Sequence, residues 1–248
     1  MEGGDPSKRN FGVAVDVGTT TVVVQLVDLT SGQVMASCAS HNRQIRYGEE
    51  VISRMIYACN KANGLGPLNR AVIDNVNDLI ECVSRKEGVS LEDITAVLAA
   101  DNTTMTHLFL GLEPCFIRLE PYIPAAGIFP VFKAAKIGIR INPNGLLACM
   151  PCVSSYVGGD ITSGVLASGI NDSSQLSMLL DIGTNGEIVV GNNDWLVCCS
   201  ASAGPAFEGG GTKCGMRAAE ARSPSWCTRV GGCWGSDKTR GYRDTDEM

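Results

Sequence analysis

Histidine is all but missing from this chain: its 248 residues include only His41 and His107. Two imidazoles support neither a histidine-built metal centre nor a Ser-His-Asp triad. Positive charge is also short. Lys and Arg total 20 against 26 Asp and Glu, leaving a formal net charge of −6. That argues against a general nucleic-acid binder, which shows a basic face. It does not exclude a nucleotide, because backbone amides hold phosphates without net positive charge. No apolar run is long enough to span a bilayer. Met1 to Asn10 is polar and lacks the apolar core of a secretory signal, so the cytoplasm is the expected compartment. A second C-x-x-C is lacking too. Among 11 cysteines only Cys149 and Cys152 have that spacing, and Cys198-Cys199 are adjacent, so a four-thiolate metal site is not supported. The odd count, scattered over a long chain, reads as reduced thiols rather than a disulfide framework.

What is present is a foldable composition, 44% hydrophobic and 19% charged, which excludes wholesale disorder. Phe11 to Val17 is an apolar run ending in Asp16-Val17-Gly18-Thr19-Thr20. Thr21 to Leu29 is rich in β-branched residues and reads as a strand, Thr30 to Gln33 as a turn, and Val34 to Ser40 as a third strand. Glu50 to Ala62 has apolar residues at Val51, Met55, Ile56 and Cys59. Pro67 to Lys86 has them at Leu68, Val72, Val76, Leu79, Ile80 and Val83. Both spacings predict helices. Ile94 to Ala100 is a buried-strand candidate. Asp101-Asn102-Thr103 caps a predicted helix that ends before Gly111. Residues 112–157 hold six prolines and read as a looping insertion with short strands. Asp160 to Gly169 reads as a helix, Leu176 to Asp181 and Glu187 to Val190 as strands, and Trp195 to Ser200 as another.

The first and last of these modules are alike. Asp16, Gly18 and Thr19 recur as Asp181, Gly183 and Thr184, each set followed by strand, turn and strand. A single repetition is too little for a solenoid and suits two related lobes facing a cleft. Past Arg217 the pattern stops. From Ala221 to Met248 the only aliphatic core-former is Val230, and no helix or strand period appears.

A strand ending in Asp that turns through Gly-Thr into a second strand has definite chemistry. The glycine removes a side chain where phosphate approaches the backbone. Successive amides and the threonine hydroxyl donate to phosphate oxygens. The aspartate holds Mg²⁺, usually through water, because Mg²⁺ keeps much of its hydration shell. One such loop also occurs as a plain hairpin turn; two in matching contexts fit phosphates clamped between them. Asp16 and Asp181 are therefore the candidate metal-side acids. The candidate nucleotide-binding residues are Gly18, Thr19, Thr20, Gly183, Thr184, Asn185 and Gly186. Asp160 fits two roles, a helix N-cap after Gly158-Gly159 or a base that orients water. Glu187 is either a second acid or a solvent-facing strand residue. Gly209-Gly210-Gly211, with Lys213 nearby, approaches a phosphate or forms a turn. His107, on an apolar helix, reads as a packed residue.

Two Asp-x-Gly-Thr hairpins separated by a long insertion and a helix resemble the phosphate motifs of the superfamily of actin, sugar kinases and heat-shock chaperones. Gly159 to Gly169 looks like the connecting helix of the chaperones, with Asp160 where an acidic residue points at the attacking water. Longer motifs sharpen the likeness. Gln44-Ile45-Arg46-Tyr47-Gly48-Glu49, Asn102-Thr103-Thr104-Met105, Tyr156-Val157-Gly158-Gly159-Asp160, Leu180 to Glu187 and Ala203 to Gly209 resemble the ATPase domain of the reductive activators of corrinoid-dependent methyltransferases. The resemblance covers about residues 11–219. It departs at Arg43, where proline is expected, and at Asp101, where glycine is expected.

The resemblance implies an α/β, ribonuclease-H-like, actin-like ATPase fold with two related lobes, the second incomplete. Residues 11–157 form the first lobe with its insertion. Residues 158–219 form the connecting helix and the start of the second lobe. Residues 220–248 form an unstructured tail, truncated or frameshifted relative to the family. ATP and Mg²⁺ are the implied cofactors. Asp160, Asp16 and Asp181 are the implied catalytic acids, and Gly209, Gly210 and Lys213 extend the nucleotide site. The implied function is ATP turnover that helps an iron–sulfur donor reduce a corrinoid protein from Co(II) to Co(I). The partners are then a corrinoid protein and a ferredoxin-type electron donor domain or protein, with no membrane or nucleic acid. No iron–sulfur cluster is expected in this chain, which lacks the ferredoxin cysteine spacing. Cys149 and Cys152 are either ordinary thiols or an electron relay. Two other functions fit the superfamily or the tail: a small-molecule kinase, which needs a substrate pocket opposite the γ-phosphate, and a non-enzymatic remnant.

Overall fold

Alternation decides the first layer. The computed structural model describes residues 9–183 and 185–201. In β1 (Phe11–Val17) Val13, Val15 and Val17 are buried, and in β2 (Thr21–Asp28) Val22, Val24 and Leu26 are. Two-residue periodicity puts each set on one face of a pleated sheet. β1 and β2 pair antiparallel, Val17 opposite Val22, and β2 continues antiparallel into β3 (Val34–His41).

The face so formed is covered by α2 (Leu65–Glu87), which buries Leu68, Val72, Val76, Leu79, Ile80 and Val83, all of the predicted stripe. Fully burying one such side chain contributes roughly 1.5–3 kcal/mol. Gly88, in the left-handed conformation, closes the helix where a side chain would be strained. α1 (Val51–Asn60) precedes it and differs from expectation. Its buried residues are Met55 and Arg54, while Ile56 is 41% exposed.

β4 (Ile94–Ala100) returns parallel to β1, on the side away from β2. Asn102, not Asp101, caps α3 (Thr103–Leu110): its side chain accepts from Met105 N at 3.0 Å. Residues 112–157 carry the short strands expected of them, and these join the first sheet. β6 (Leu146–Cys149) pairs parallel with β4, and the short β5 (Phe132–Lys133) pairs antiparallel with β6. The first sheet therefore runs β3-β2-β1-β4-β6-β5.

α4 (Gly159–Ser168) follows, then a second sheet in the order β7-β8-β9, formed by β7 (Ser177–Ile182), β8 (Gly186–Gly191) and β9 (Leu196–Ala201). Like β1-β2-β3, these are three sequential antiparallel strands. α4 packs on β7 through Gly164, where a Cβ would lie 3.2 Å from Leu179. Val157, Ile161 and Val189 form a small core there. Among the described residues no helix is long and apolar enough to cross a membrane.

The reading of all cysteines as reduced thiols is corrected. Cys38 is bonded to Cys82 and Cys59 to Cys115. The first bond ties β3 to the helix packed on it and the second ties α1 to the turn after α3. Packing brings together residues 44 and 56 positions apart, a proximity that no local spacing encodes.

Candidate active site

Asp16 and Asp181 each stand near the end of the first strand of a three-stranded module, exposed to solvent yet partly desolvated by the protein around them. α4 brings Asp160 to the same place. Its N-cap is Gly158, so the capping role weighed for Asp160 belongs to another residue. Asp160 lies in the first turn and its Oδ1 accepts from Ile161 N at 2.8 Å. Gly158 has no room for a side chain, since a Cβ would lie 2.5 Å from Asp101 O and from Asn102 Cα. Its absence lets α4 start against the β4–α3 junction, where Asp160 N donates to Asp101 O at 3.2 Å.

The acids sense one another. The Asp16 pKa is raised to about 6, first by burial of its surroundings, then by Asp160 and Asp181. That of Asp160 is also raised to about 6, by burial and by Asp181, against the backbone hydrogen bond from Ile161. Burial raises Asp181 as well. Glu187 lies opposite Asp181 in the β7–β8 pair. It is raised by burial and by Asp160 and Asp181, while a hydrogen bond from Ser200 at 2.9 Å opposes the shift.

A fifth acid, not among the sequence candidates, completes the group. Asp101 is 2% exposed and its pKa is raised well above the usual carboxylate range by burial, then by Asp16 and Asp160. Its Oδ1 accepts from Val17 N at 3.0 Å, while its Oδ2 is buried without a hydrogen-bond partner. Only its departure from the expected glycine marked it in the sequence.

The first Gly-Thr loop is held from behind. Gly18 O accepts from Asn42 Nδ2 at 2.8 Å, Thr19 O from Arg54 Nη2 at 2.6 Å, and Thr20 O from Asn42 N at 2.8 Å. Asn102 Nδ2 donates to Thr19 Oγ1 at 3.3 Å. A Cβ on Gly18 would lie 2.6 Å from Thr21 O, so glycine is required there for space. In the second loop Gly183 N donates to Asn185 O at 2.9 Å and Gly186 opens β8. Thr184, Gly209, Gly210 and Lys213 lie outside the described residues, as does the segment 220–248.

Among the described residues no three His, Cys, Asp or Glu side chains gather closely enough to hold a metal by themselves. Two carboxylates with water filling the other positions suit Mg²⁺, a hard cation that keeps part of its hydration shell. Carboxylates that repel one another are the donor set that a cation relieves.

His107 is fully buried. Its Nδ1–H donates to Thr103 O at 2.7 Å and its Nε2 accepts from Ala126 N at 3.4 Å. Burial lowers its pKa, so it is a neutral, packed imidazole. Cys149 and Cys152 are free. Burial raises the pKa of both, so neither is primed as a thiolate.

The raised acids set a pH dependence. In the unfolded chain Asp16 and Asp160 ionise near their ordinary 3.8, and in the folded chain near 6. Ionisation in that interval favours the unfolded chain. The ligand-free protein is therefore expected to gain stability from these groups as pH falls from 7 towards about 4, and no more below that. Urea unfolding midpoints measured across this range, with and without the pair Asp16→Asn and Asp160→Asn, check it. An unchanged slope in the double variant contradicts the assignment.

The layer order, the repeated strand-loop-strand modules and the helix between them define the actin-like ATPase fold. Residues 11–173 match the family described as the RACo middle region, and residues 175–222 match the C-terminal domain of RACo, the ASKHA domain. The chain belongs to the RACo family, whose members include reductive activators of corrinoid proteins. It is 52% identical to the solved structure of a reductive activator for corrinoid, iron-sulfur protein, with a TM-score of 0.81 over 86% of this chain and 34% of that one. It is 36% identical to the corrinoid activation enzyme RamQ of Eubacterium limosum over 86% of this chain and 36% of the relative. It is 23% identical to the [Co(II) methylated amine-specific corrinoid protein] reductase of Methanosarcina barkeri, covering 84% and 39%. The chain thus spans between 34% and 39% of the length of these relatives.

Proposed function

We propose that this chain binds and hydrolyses ATP with Mg²⁺, and that turnover is coupled to reduction of a corrinoid protein from Co(II) to Co(I). The observation that carries the proposal is that Asp101 fastens the end of β1, beside Asp16, to the start of α4, beside Asp160, with Asp181 near enough to raise the pKa of both acids. The names of the relatives support the corrinoid half.

In this reading the amides and hydroxyls of the Gly18-Thr19-Thr20 loop donate to phosphate oxygens from one side, and the amides of Asn185 and Gly186 from the other. Asp16 and Asp181 would hold Mg²⁺ through water. When bound, the cation neutralises charge on the transferring phosphoryl. Asp160 orients the attacking water and takes its proton. Residues 11–157 and 158–219 act as the two lobes, and their closure on nucleotide alters affinity for the corrinoid partner. One electron per cobalt comes from a ferredoxin-type domain or protein, and ATP supplies no electron.

A cavity of about 340 Å³ lies between the segment after β6, α4 and the second sheet. Its walls include Met150, Val157, Ile161, Val165, Val189 and Leu196. That lining carries no charged side chain, and Asp16, Asp160 and Asp181 are not among its walls. The deciding experiment incubates the protein with Mg·ATP, a Co(II) corrinoid protein and a one-electron donor. Free phosphate and the corrinoid absorbance are followed together. Phosphate release that accelerates appearance of Co(I) is expected. Phosphate recovered on a small molecule instead, or Co(I) formation indifferent to ATP, counts against the reading.

A further inference from the structure

Arg54 is 0% exposed, and among the described residues no carboxylate lies within ion-pair distance of it. A buried guanidinium without an acid is costly to keep, and this one lies on the helix face that otherwise carries apolar residues. Its five N–H groups are spent mainly on neutral acceptors. Nε donates to Gly48 O at 2.9 Å, Nη2 to Thr19 O at 2.6 Å, and Nη1 reaches Gln44 Oε1 at 3.4 Å and Met105 Sδ at 3.3 Å. Gln44 and Asn42 behind it are also fully buried, and Asn42 Oδ1 accepts from Gln44 N at 2.9 Å. The group is buried and hydrogen-bonded, and it touches the first phosphate loop directly.

We propose that Arg54 is the positioning residue of that loop, and that its unpaired charge is matched by the polyphosphate of the ligand. The proposal rests on the nucleotide reading above and deepens it. Two physical effects follow from the contacts. A trans peptide points its C=O and N–H in opposite directions. With Gly18 O and Thr19 O drawn back by Asn42 and Arg54, the N–H groups of Thr19 and Thr20 are turned to the opposite side of the loop. A carbonyl that accepts from a guanidinium is also strongly polarised, which makes the N–H of the same peptide a stronger donor. Burial lowers the Arg54 pKa only to about 10, so the charge persists at neutral pH. The group acts through Thr19 and needs no contact with substrate.

The test titrates the chain and its Arg54→Lys and Arg54→Met variants with inorganic tripolyphosphate. It also follows, without ligand, amide hydrogen exchange at Asn42, whose N–H donates to Thr20 O at 2.8 Å. Arg54→Met is expected to bind about 100-fold more weakly, a loss on the scale of a charge-assisted contact together with loop order. Arg54→Lys, which keeps charge but not the planar fork, should weaken binding about 10-fold and so rescue part of the loss. Exchange at Asn42 should rise in both variants while Val13 and Val97 stay protected. Unchanged affinity and exchange in folded Arg54→Met overturn the proposal. If that variant does not fold, wild-type values in Arg54→Lys overturn it equally. Failure of the wild-type chain to bind tripolyphosphate removes the anion-matching half. A chain that binds tripolyphosphate in this Arg54-dependent way but does not hydrolyse ATP supports the proposal and sinks the ATPase reading. A chain that hydrolyses ATP at the same rate and affinity without Arg54 does the reverse.

Discussion

Asp16→Ala and Asp181→Ala are each expected to lower ATP hydrolysis by about 10²-fold or more, the scale of losing one preorganised electrostatic contact. Neither should cost much stability. Both residues are exposed, and among the described residues no backbone N–H donates to either carboxylate. Removing one acid also relieves the repulsion that raises the others, so the ligand-free variants should unfold no earlier than the parent. This separates a catalytic loss from a folding loss. Phosphate release measured beside urea unfolding checks both halves. Two folded variants that hydrolyse ATP at the parent rate would remove the paired loops from the mechanism.

Asp160→Asn is expected to slow hydrolysis by roughly 10²–10⁴-fold, the range for a positioned base, with nucleotide affinity nearly unchanged. The split arises because this carboxylate acts on water and not on the nucleotide. A pH profile adds a second signature. With a pKa of about 6, the base form accumulates as pH rises through 6, and the parent rate should rise with it. The asparagine variant should lack that limb. Normal turnover in folded Asp160→Asn would mean the base lies elsewhere, and the two-loop arrangement would survive.

Much of this was legible before any coordinates. Ile94 to Ala100 is apolar, bounded and short, and it is β4 to the residue. The six apolar positions of α2 recur at helical spacing because one face meets a sheet. β6 was not legible as a sheet strand. Leu146–Cys149 is four residues long amid prolines, and only pairing with β4 makes it a sheet member. Arg54 was hidden for the opposite reason. A charge on a helix reads as solvent-facing until the carbonyls that receive it are known. The same holds for Asp101, whose burial depends on Val17 from the far end of the first strand. Local periodicity records which face is apolar; it does not record which distant backbone groups need a partner.

The parallel pairing of β1 with β4 has a consequence for how the molecule is assembled. Val17 N and Asp101 Oδ1 lie 84 positions apart, and β1 cannot complete its hydrogen bonding until residues 94–100 have emerged. The three hairpin-linked strands form from neighbours in sequence, a fast and local process, whereas the β1–β4 ladder must close a long loop, which is slow. During synthesis the antiparallel meander precedes the helices that cover it, and the inner edge of β1 stays open in the interval. Asp101 and Asn102, which fasten Val17 and Thr19, arrive only with that last strand. The first Gly-Thr loop is thus among the earliest residues made, yet it is locked only once residues 101 and 102 have emerged.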